Sequence, residues 1–447
     1  MDAAAEWHSL LRPDVELSRR HIQEFAGVMR ARKLTFGDRV HCPFLRPFFL
    51  SEHDESRMRA AAETIAALGE RVTAAALESR TVFDQLGLSE DEEQLVRIDP
   101  GYARASTASR LDAFLLPDSL CFAEYNAESP AGLAYTERLC ELFEAMPIMG
   151  RFRESRRVRF NRTIQPMLAA LLESYREWGG RENPPTIAIV DWRNVPTWTE
   201  FELLRDAFMA SGVPTFVCDP RDVTFEDGAL FCGGERIDIL YRRVLMNDIL
   251  ARPDECEARV AAYSAKAVCM ANTFRCKLAH KKAFFAVLTD ERNARLFSES
   301  DRAAIAAHIP WTRVVADEET TKDGTRTALL TLVERNRDTL VLKPNDEYGG
   351  TGVTLGWETT PGEWTAALDA ALADPKGAWI VQERIPVRRE VFPMFDGAGD
   401  VTMRDMLVDF APYLFRGRMA GYLTRLSGSG LANVTSGGGQ VPAFVTD

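Results

Sequence analysis

Residues 341–355 read VLKPNDEYGGTGVTL. An apolar run ends in Lys343, two acids follow, and Gly349, Gly350 and Gly352 come next. A lysine at a strand end is a compact cation that can meet a phosphate. Glycines beside it let backbone N–H groups approach phosphate oxygens with no Cβ in the way. A carboxylate alone would repel phosphate. Mg2+ between them removes the conflict, because it takes one or two carboxylates together with phosphate oxygens. Lys343, Glu347, Gly349, Gly350 and Gly352 thus have the chemistry for Mg2+ and ATP. The lysine precedes the glycines, so this is neither GxxxxGK[ST] nor GxGxxG. The competing reading is a plain hairpin with solvated acids.

A second group lies at 110–132, RLDAFLLPDSLCFAEYNAESPAG. It reads as a hairpin around Pro117–Asp118–Ser119. Glu124 and Asn126 are two apart and project from one strand face. A carboxylate and an amide oxygen side by side suit a hard cation. Arg110 and Asp112 share a face of the preceding strand in the same way.

LVLKPNDEYGGTGV resembles the glycine-rich ATP loop of the eukaryotic-type glutathione synthetases, members of the ATP-grasp superfamily. RLDAFLL followed by AEYN resembles their substrate-arginine strand and Glu-x-Asn magnesium pair. That spacing also resembles glutathionylspermidine synthase and the circularly permuted ATP-grasp proteins. LYRRV resembles a family Tyr-x-Arg that reaches the substrate, and WIVQERI the hinge strand at adenine. LAHKKAFFAVL resembles the segment carrying a second ATP lysine, and GYLTR with the glycine-rich tail resembles the closing segment. The matches run in family order from about residue 106 to the end of the chain.

The resemblance implies a role for each residue. Lys343 would neutralise the ATP phosphates with Lys282, for which Lys281 is the alternate. Glu124, Asn126 and Glu347 would hold Mg2+, and Gly349 and Gly350 would form the phosphate loop. Gln382 and Glu383 would meet adenine or ribose, unless they are structural. Arg110, Arg243 and Arg425 would clamp substrate carboxylate, a task that suits the planar guanidinium; Arg242 could replace Arg243. Asp409 could add an outer contact. Asp191, Trp192 and Arg193 could touch substrate or could simply cap and pack. One departure stands out. The synthetases carry a lysine two residues after the arginine, where this chain has Ser427, and NVTSGGG looks closer to the permuted bacterial proteins.

The implied activity is ATP-dependent joining of a small-molecule carboxylate to an amine through an acyl phosphate. Lys343, Arg110 and Arg425 are the catalytic candidates. The alternatives are a polyamine ligase like glutathionylspermidine synthase, a non-catalytic ATP-binding protein, or a phosphotransferase. Related ligases are often dimers, so a homodimer is one expectation.

The elements must place these groups. SEHDESRMRAAAETIAALGERVTAAALESR (51–80) predicts a helix capped by Ser51, and TIQPMLAALLESYREWGG (163–180) a helix stopped by Gly179–Gly180. TIAIVD and VPTFVCD read as strands around a helix whose capping box would run from Thr199 to Glu202. LFCGGERIDILYRR reads as a hairpin across Gly233–Gly234 that leads into a strand. TLVLK, AWIVQE, MLVDF and AGYLTRL are further strands. HCPFLRPFFLSEHD (41–54) could line a substrate pocket or be core plus a helix cap. The expected fold is α+β with an α/β insertion, a permuted ATP-grasp fold of two lobes clasping ATP. Residues 1–180 would be helix-rich and contribute strands 110–126, residues 181–270 would form a small parallel-sheet substrate domain, and residues 271–447 would form the ATP-grasp lobes.

Composition limits the other classes. The chain has 447 residues, 46% of them apolar, and a net charge of −12 from 54 basic and 66 acidic groups. No basic cluster suggests nucleic acid. The N-terminus has acids where a signal peptide needs basic and apolar runs, and no window approaches a membrane span of roughly 20 apolar residues. Cys42, Cys121, Cys140, Cys218, Cys232, Cys256, Cys269 and Cys276 are dispersed with no CxxC. Reduced thiols in the cytoplasm are the expectation.

Overall fold

A computed structural model describes residues 2–37, 39–374, 378–428 and 438–447. The closing glycine-rich segment falls mostly in 429–437, outside the described residues.

Glu52–Glu78 forms a long helix. Ser51 Oγ accepts from the Asp54 amide at 3.0 Å, and Glu52, Asp54 and Glu55 fill the first turn. Acids there complement the positive helix end. Met58, Ile65, Leu68 and Val72 form its buried stripe. Residues 41–50 are mainly core, with Phe44, Leu45, Phe48 and Leu50 buried. Ile164–Trp178 is the second expected helix, closed by Gly179 at φ 98°.

Three sheets carry the chemistry. The first has six antiparallel strands, running Gly439–Val441, Arg418–Ser427, Val401–Phe415, Ala108–Leu115 and Leu120–Asn126, with Arg388–Phe395 also paired to Val401–Phe415. Its register sets Arg110 opposite Asn126, Asp112 opposite Glu124, and Asp409 opposite Arg425. Paired residues in a ladder share a face, so the sheet gathers arginines, carboxylates and an amide on one surface.

The second sheet is antiparallel and orders Thr312–Val314, Trp379–Glu383, Leu340–Pro344 and Thr354–Leu355. Leu340, Leu342 and Val381 pack with Leu329, Val333, Trp364 and Leu368 in a core of their own. Alternation then turns Val341 and Lys343 to the other face.

The third sheet is fully parallel, ordered Cys269–Ala271, Ile239–Arg242, Ile187–Val190 and Thr215–Cys218. Ile187–Val190 is buried throughout, as a sheet covered on both faces requires. The Ala229–Cys232 and Glu235–Ile237 hairpin leads into it, with Cys232 opposite Glu235 across the two glycines.

The helix after Ile187–Val190 differs from the expected capping box. It runs Trp198–Ala210 with Thr197 as its cap residue and no side-chain cap bond. Glu202 pairs outward with Lys33, while Glu200 turns inward to accept from the Gly132 and Ala134 amides at 2.9 and 3.1 Å. Two tertiary demands took the acids that a local cap would have used.

A small sheet joins distant parts of the chain: Phe48–Ser51 runs parallel to Ala443–Thr446, which pairs antiparallel with Val158–Arg159. All eight cysteines are free thiols. No helix among the described residues is long and apolar enough to cross a membrane.

Candidate active site

A cleft of about 460 Å³ lies between the six-stranded sheet and the smaller antiparallel sheet. Glu124, Lys282, Lys343, Glu347, Gly349, Gly350, Gln382, Glu383 and Arg425 all line it, with Asp112 and Asp409. Asn126, Arg110 and Arg243 are not among its lining residues.

Lys343 is half-buried, and its Nζ donates to Gln382 Oε1 at 2.6 Å and to the Ala123 carbonyl at 3.4 Å. Burial pushes its pKa down to about 8, and the nearby Glu124 charge opposes that fall. Gln382 Nε2 in turn donates to Thr312 Oγ1 at 3.1 Å, which fixes the amide. Gln382 therefore orients the lysine as well as lining the cleft. Glu383 pairs with Lys322 at 2.8 Å.

The two candidate second lysines point to different places. Lys282 faces the cleft, 3.7 Å from Glu124 and donating to the Glu347 carbonyl at 2.5 Å. Lys281 is buried between Glu92 and Asp346, at 2.9 and 2.8 Å. The break between the Cys276–His280 and Ala283–Thr289 helices separates their directions.

Asn126 Nδ2 donates to Glu124 Oε1 at 3.1 Å. Glu347 enters the same cleft from the loop. Gly349 and Gly350 have φ of 67° and 79°, a left-handed conformation that favours glycine. No group of three or more His, Cys, Asp or Glu among the described residues has metal-ligand geometry. Two carboxylates and an amide, completed by phosphate oxygens, are a donor set that fits Mg2+ rather than a closed protein cage.

Arg425 bonds both Asp112 and Asp409, and Arg110 donates to Asp112 at 2.8 Å. The two arginines hold the Asp112 carboxyl well below the usual carboxylate range, against the effect of burial. Asp409 goes the other way, pushed up to about 6 by burial although Arg425 opposes it. Arg110, a clamp candidate by resemblance, also donates to the Ala131 carbonyl at 3.1 Å. It braces the loop behind the cleft.

Arg243 sits at the carboxyl end of the parallel sheet and donates to the Pro130 carbonyl at 2.7 Å, so it reaches the same loop from the opposite side. Asp191, at the end of the adjacent strand, is pushed up to about 6 by burial. The Trp192 amide donates to it at 2.8 Å. Arg193 pairs outward with Asp222. Arg242 faces away, in a fully buried pair with Glu128 at 2.8 Å.

Asn272 ties these parts together. Its Oδ1 accepts from the Thr107 and Ala108 amides, and its Nδ2 donates to the Ala108, Ala127 and Glu128 carbonyls. Both strands of the Arg110–Asn126 hairpin are thus pinned to the parallel sheet, and a lone asparagine gives no sequence signal of that. Trp357, with Arg384 stacked 4.2 Å over its ring, lines the apolar end of the cleft beside Val341, Leu355 and Ile385. These too were not foreseen.

A second cleft, of about 520 Å³, lies across Glu383–Pro386. It is lined mainly by apolar groups such as Leu288, Phe297, Ile305 and Ile309 and contains no lysine. Lys282, Lys343, Gly349 and Gly350 all lie in the first.

No protein-family model matches the chain. The solved structure of a glutathione synthetase-like effector from Globodera pallida superposes on 97% of this chain and 98% of its own, with a TM-score of 0.64 at 11% identity. The chain has a glutathione synthetase-like fold. A Frankia casuarinae protein that carries the name glutamate–cysteine ligase 2-2 is 25% identical over 341 residues, 72% of this chain and 36% of that protein. A Frankia alni protein named glutamate–cysteine ligase 2-3 is 27% identical over 221 residues, 47% of this chain and 23% of its own length. The chain therefore spans well under half the length of these curated relatives.

Proposed function

We propose that the chain is an ATP-dependent ligase that joins a carboxylate to an amine, with small amino-acid-like or peptide substrates. The observation that carries this is the convergence of Lys343, Lys282, Glu124, Glu347, Gly349 and Gly350 on one cleft that also holds Arg425. The glutathione synthetase-like fold and the ligase names of the Frankia relatives support it.

The chemistry requires two anions, a substrate carboxylate and the ATP γ-phosphate, to approach each other. Lys343 and Lys282 offset that repulsion from the phosphate side. Glu124, Asn126 and Glu347 would hold Mg2+, which supplies charge neutralisation at the phosphates when bound. Fixed charges in a water-poor cleft stabilise such a transfer more than they would in water. Arg425 meets the carboxylate once its grip on Asp112 and Asp409 loosens. Phosphoryl transfer gives an acyl phosphate. The amine attacks its carbonyl, phosphate leaves with the bonding electron pair, and the nitrogen loses a proton. No side-chain nucleophile is required.

In this reading the ATP-grasp order is permuted, with the Ala108–Asn126 hairpin supplying metal ligands from the N-terminal side. Residues 181–270 serve the substrate, through Arg243 and Asp191 at the carboxyl ends of parallel strands, where such sheets bind ligands. The eight thiols, all free, suit the reducing cytoplasm.

The test is ADP release with Mg2+–ATP across a panel of amino acids and amines, with product masses read in parallel. An amide with stoichiometric ADP supports the ligase. ADP with a phosphorylated product and no amide overturns it in favour of a phosphotransferase.

A further inference from the structure

We propose that Asp346 is a positioning residue for the phosphate loop: it holds Glu347 in place through Lys277 and Lys281 without itself touching nucleotide. The proposal rests on the ATP-binding reading above.

The two neighbouring acids of the loop face opposite ways. Glu347 lines the cleft; Asp346 does not. The Asp346 carboxylate lies 2.7 Å from Lys277 Nζ and 2.8 Å from Lys281 Nζ, and Asn247 Nδ2 donates to it at 3.1 Å. One residue earlier, Asn345 donates to the Leu86 carbonyl and accepts from the Ala283 amide, both at 2.8 Å. Beyond Asp346 the chain is exposed, Tyr348 by 70%, and turns left-handed at Gly349, Gly350 and Gly352. Asp346 is thus where the buried base ends and the exposed loop begins. Lys281 and Lys282 grip consecutive loop residues, one by a carboxylate and the other by a carbonyl.

Behind Asp346 the contact extends into the fold. Lys277 also meets Glu128 at 3.2 Å, Glu128 meets Arg242 at 2.8 Å, and Lys281 meets Glu92 at 2.9 Å. Three carboxylates face three cations, and burial keeps the adjacent His280 neutral at about 4. Buried ion pairs add little stability over apolar packing of the same volume, because desolvation offsets their attraction. What this network supplies is position. It ties the loop to the Glu124–Asn126 hairpin through Glu128 and to the substrate strand through Arg242.

The test separates position from stability. Asp346→Asn leaves three buried cations facing two carboxylates; Asp346→Asn with Lys281→Met restores equal numbers of buried charges, two against two. Mg2+–ATP affinity by calorimetry, thermal midpoint, and chymotrypsin cleavage after Tyr348 are measured for both variants and the wild type. The single variant should lose thermal stability and bind about tenfold or more weakly, as supporting residues of a metal site do. The double variant should regain the midpoint, keep the weak binding, and be cut faster in the loop. Wild-type affinity in either variant overturns the proposal while leaving the ATP reading intact. A wild-type protein that does not bind Mg2+–ATP overturns both.

Discussion

Lys343 Nζ and Gln382 Oε1 lie 2.6 Å apart on neighbouring strands of the smaller antiparallel sheet. The amide presents a neutral acceptor to a cation that burial has already made easier to deprotonate. A neutral partner leaves the lysine's charge available to an incoming phosphate, which a carboxylate partner would have cancelled.

Removing that acceptor should weaken nucleotide binding without breaking the fold. A hydrogen bond to a charged group contributes about 1.5–3 kcal/mol. Gln382→Leu should therefore raise the Mg2+–ATP dissociation constant by roughly tenfold or more, and Lys343→Met should raise it further. Calorimetric titration of both variants, with circular dichroism as the folding control, checks this. Undiminished affinity in Lys343→Met would remove the lysine from the site.

Lys343 also gives the binding a pH signature. Its folded pKa of about 8 lies below the ordinary lysine value of 10.5. Phosphate favours the charged form, so the pKa rises on binding. Below pH 8 the lysine is already charged and binding takes up little proton. As pH rises through 8, binding must recruit a proton and affinity falls. Titrations near pH 8.5 in buffers of different ionisation enthalpy should report proton uptake, absent in Lys343→Met.

Asp409 predicts a stability effect of the same pH sense, in a more acidic range. Its folded pKa of about 6 lies above its ordinary 3.8. The fold therefore favours the protonated form, and that contribution is fully present at low pH and lost as pH rises toward 6. With each pKa step corresponding to about 1.4 kcal/mol, the lost contribution is on the order of 3 kcal/mol. Asp409→Asn avoids the burial of that charge. Its thermal midpoint should exceed that of the wild type at pH 7 and converge with it near pH 4.

The metal set can be tested through its concentration dependence. Glu124→Gln and Glu347→Gln each leave a neutral amide where Mg2+ would want a carboxylate. Both should require higher Mg2+ for half-maximal ATP binding, while retaining the wild-type thermal midpoint in metal-free buffer. Equal Mg2+ dependence in all three proteins would exclude these carboxylates as ligands.

What could be read from the sequence was local. Lys343, Glu347 and the glycines sit within ten residues, and Glu124 and Asn126 are related by strand alternation alone. The Asp112–Arg425–Asp409 cluster depends on pairing between the Ala108–Leu115, Val401–Phe415 and Arg418–Ser427 strands, which no local pattern specifies. Adjacent cations were equally opaque. Arg242 and Arg243 alternate across a strand end, so one pairs with Glu128 and the other faces the Pro130 loop. Lys281 and Lys282 part at a helix break. In each case the residue type was plain and its direction was decided by partners far along the chain. The same cause moved the Trp198 helix off its expected cap, since Glu200 and Glu202 had distant uses.

The pairing of Phe48–Ser51 with Ala443–Thr446 has a consequence for how the molecule is assembled. The Ala443–Thr446 strand is the middle of its sheet, with Phe48–Ser51 on one side and Val158–Arg159 on the other. Neither flanking strand has a sheet partner there until it arrives. Closing so long a loop is entropically slow and is repaid only when the contacts form. Phe48–Ser51 and Val158–Arg159 must therefore wait, without a partner in this sheet, for a strand that lies far along the chain. A fragment that lacked Ala443–Thr446 would leave both flanking strands with an unfinished edge.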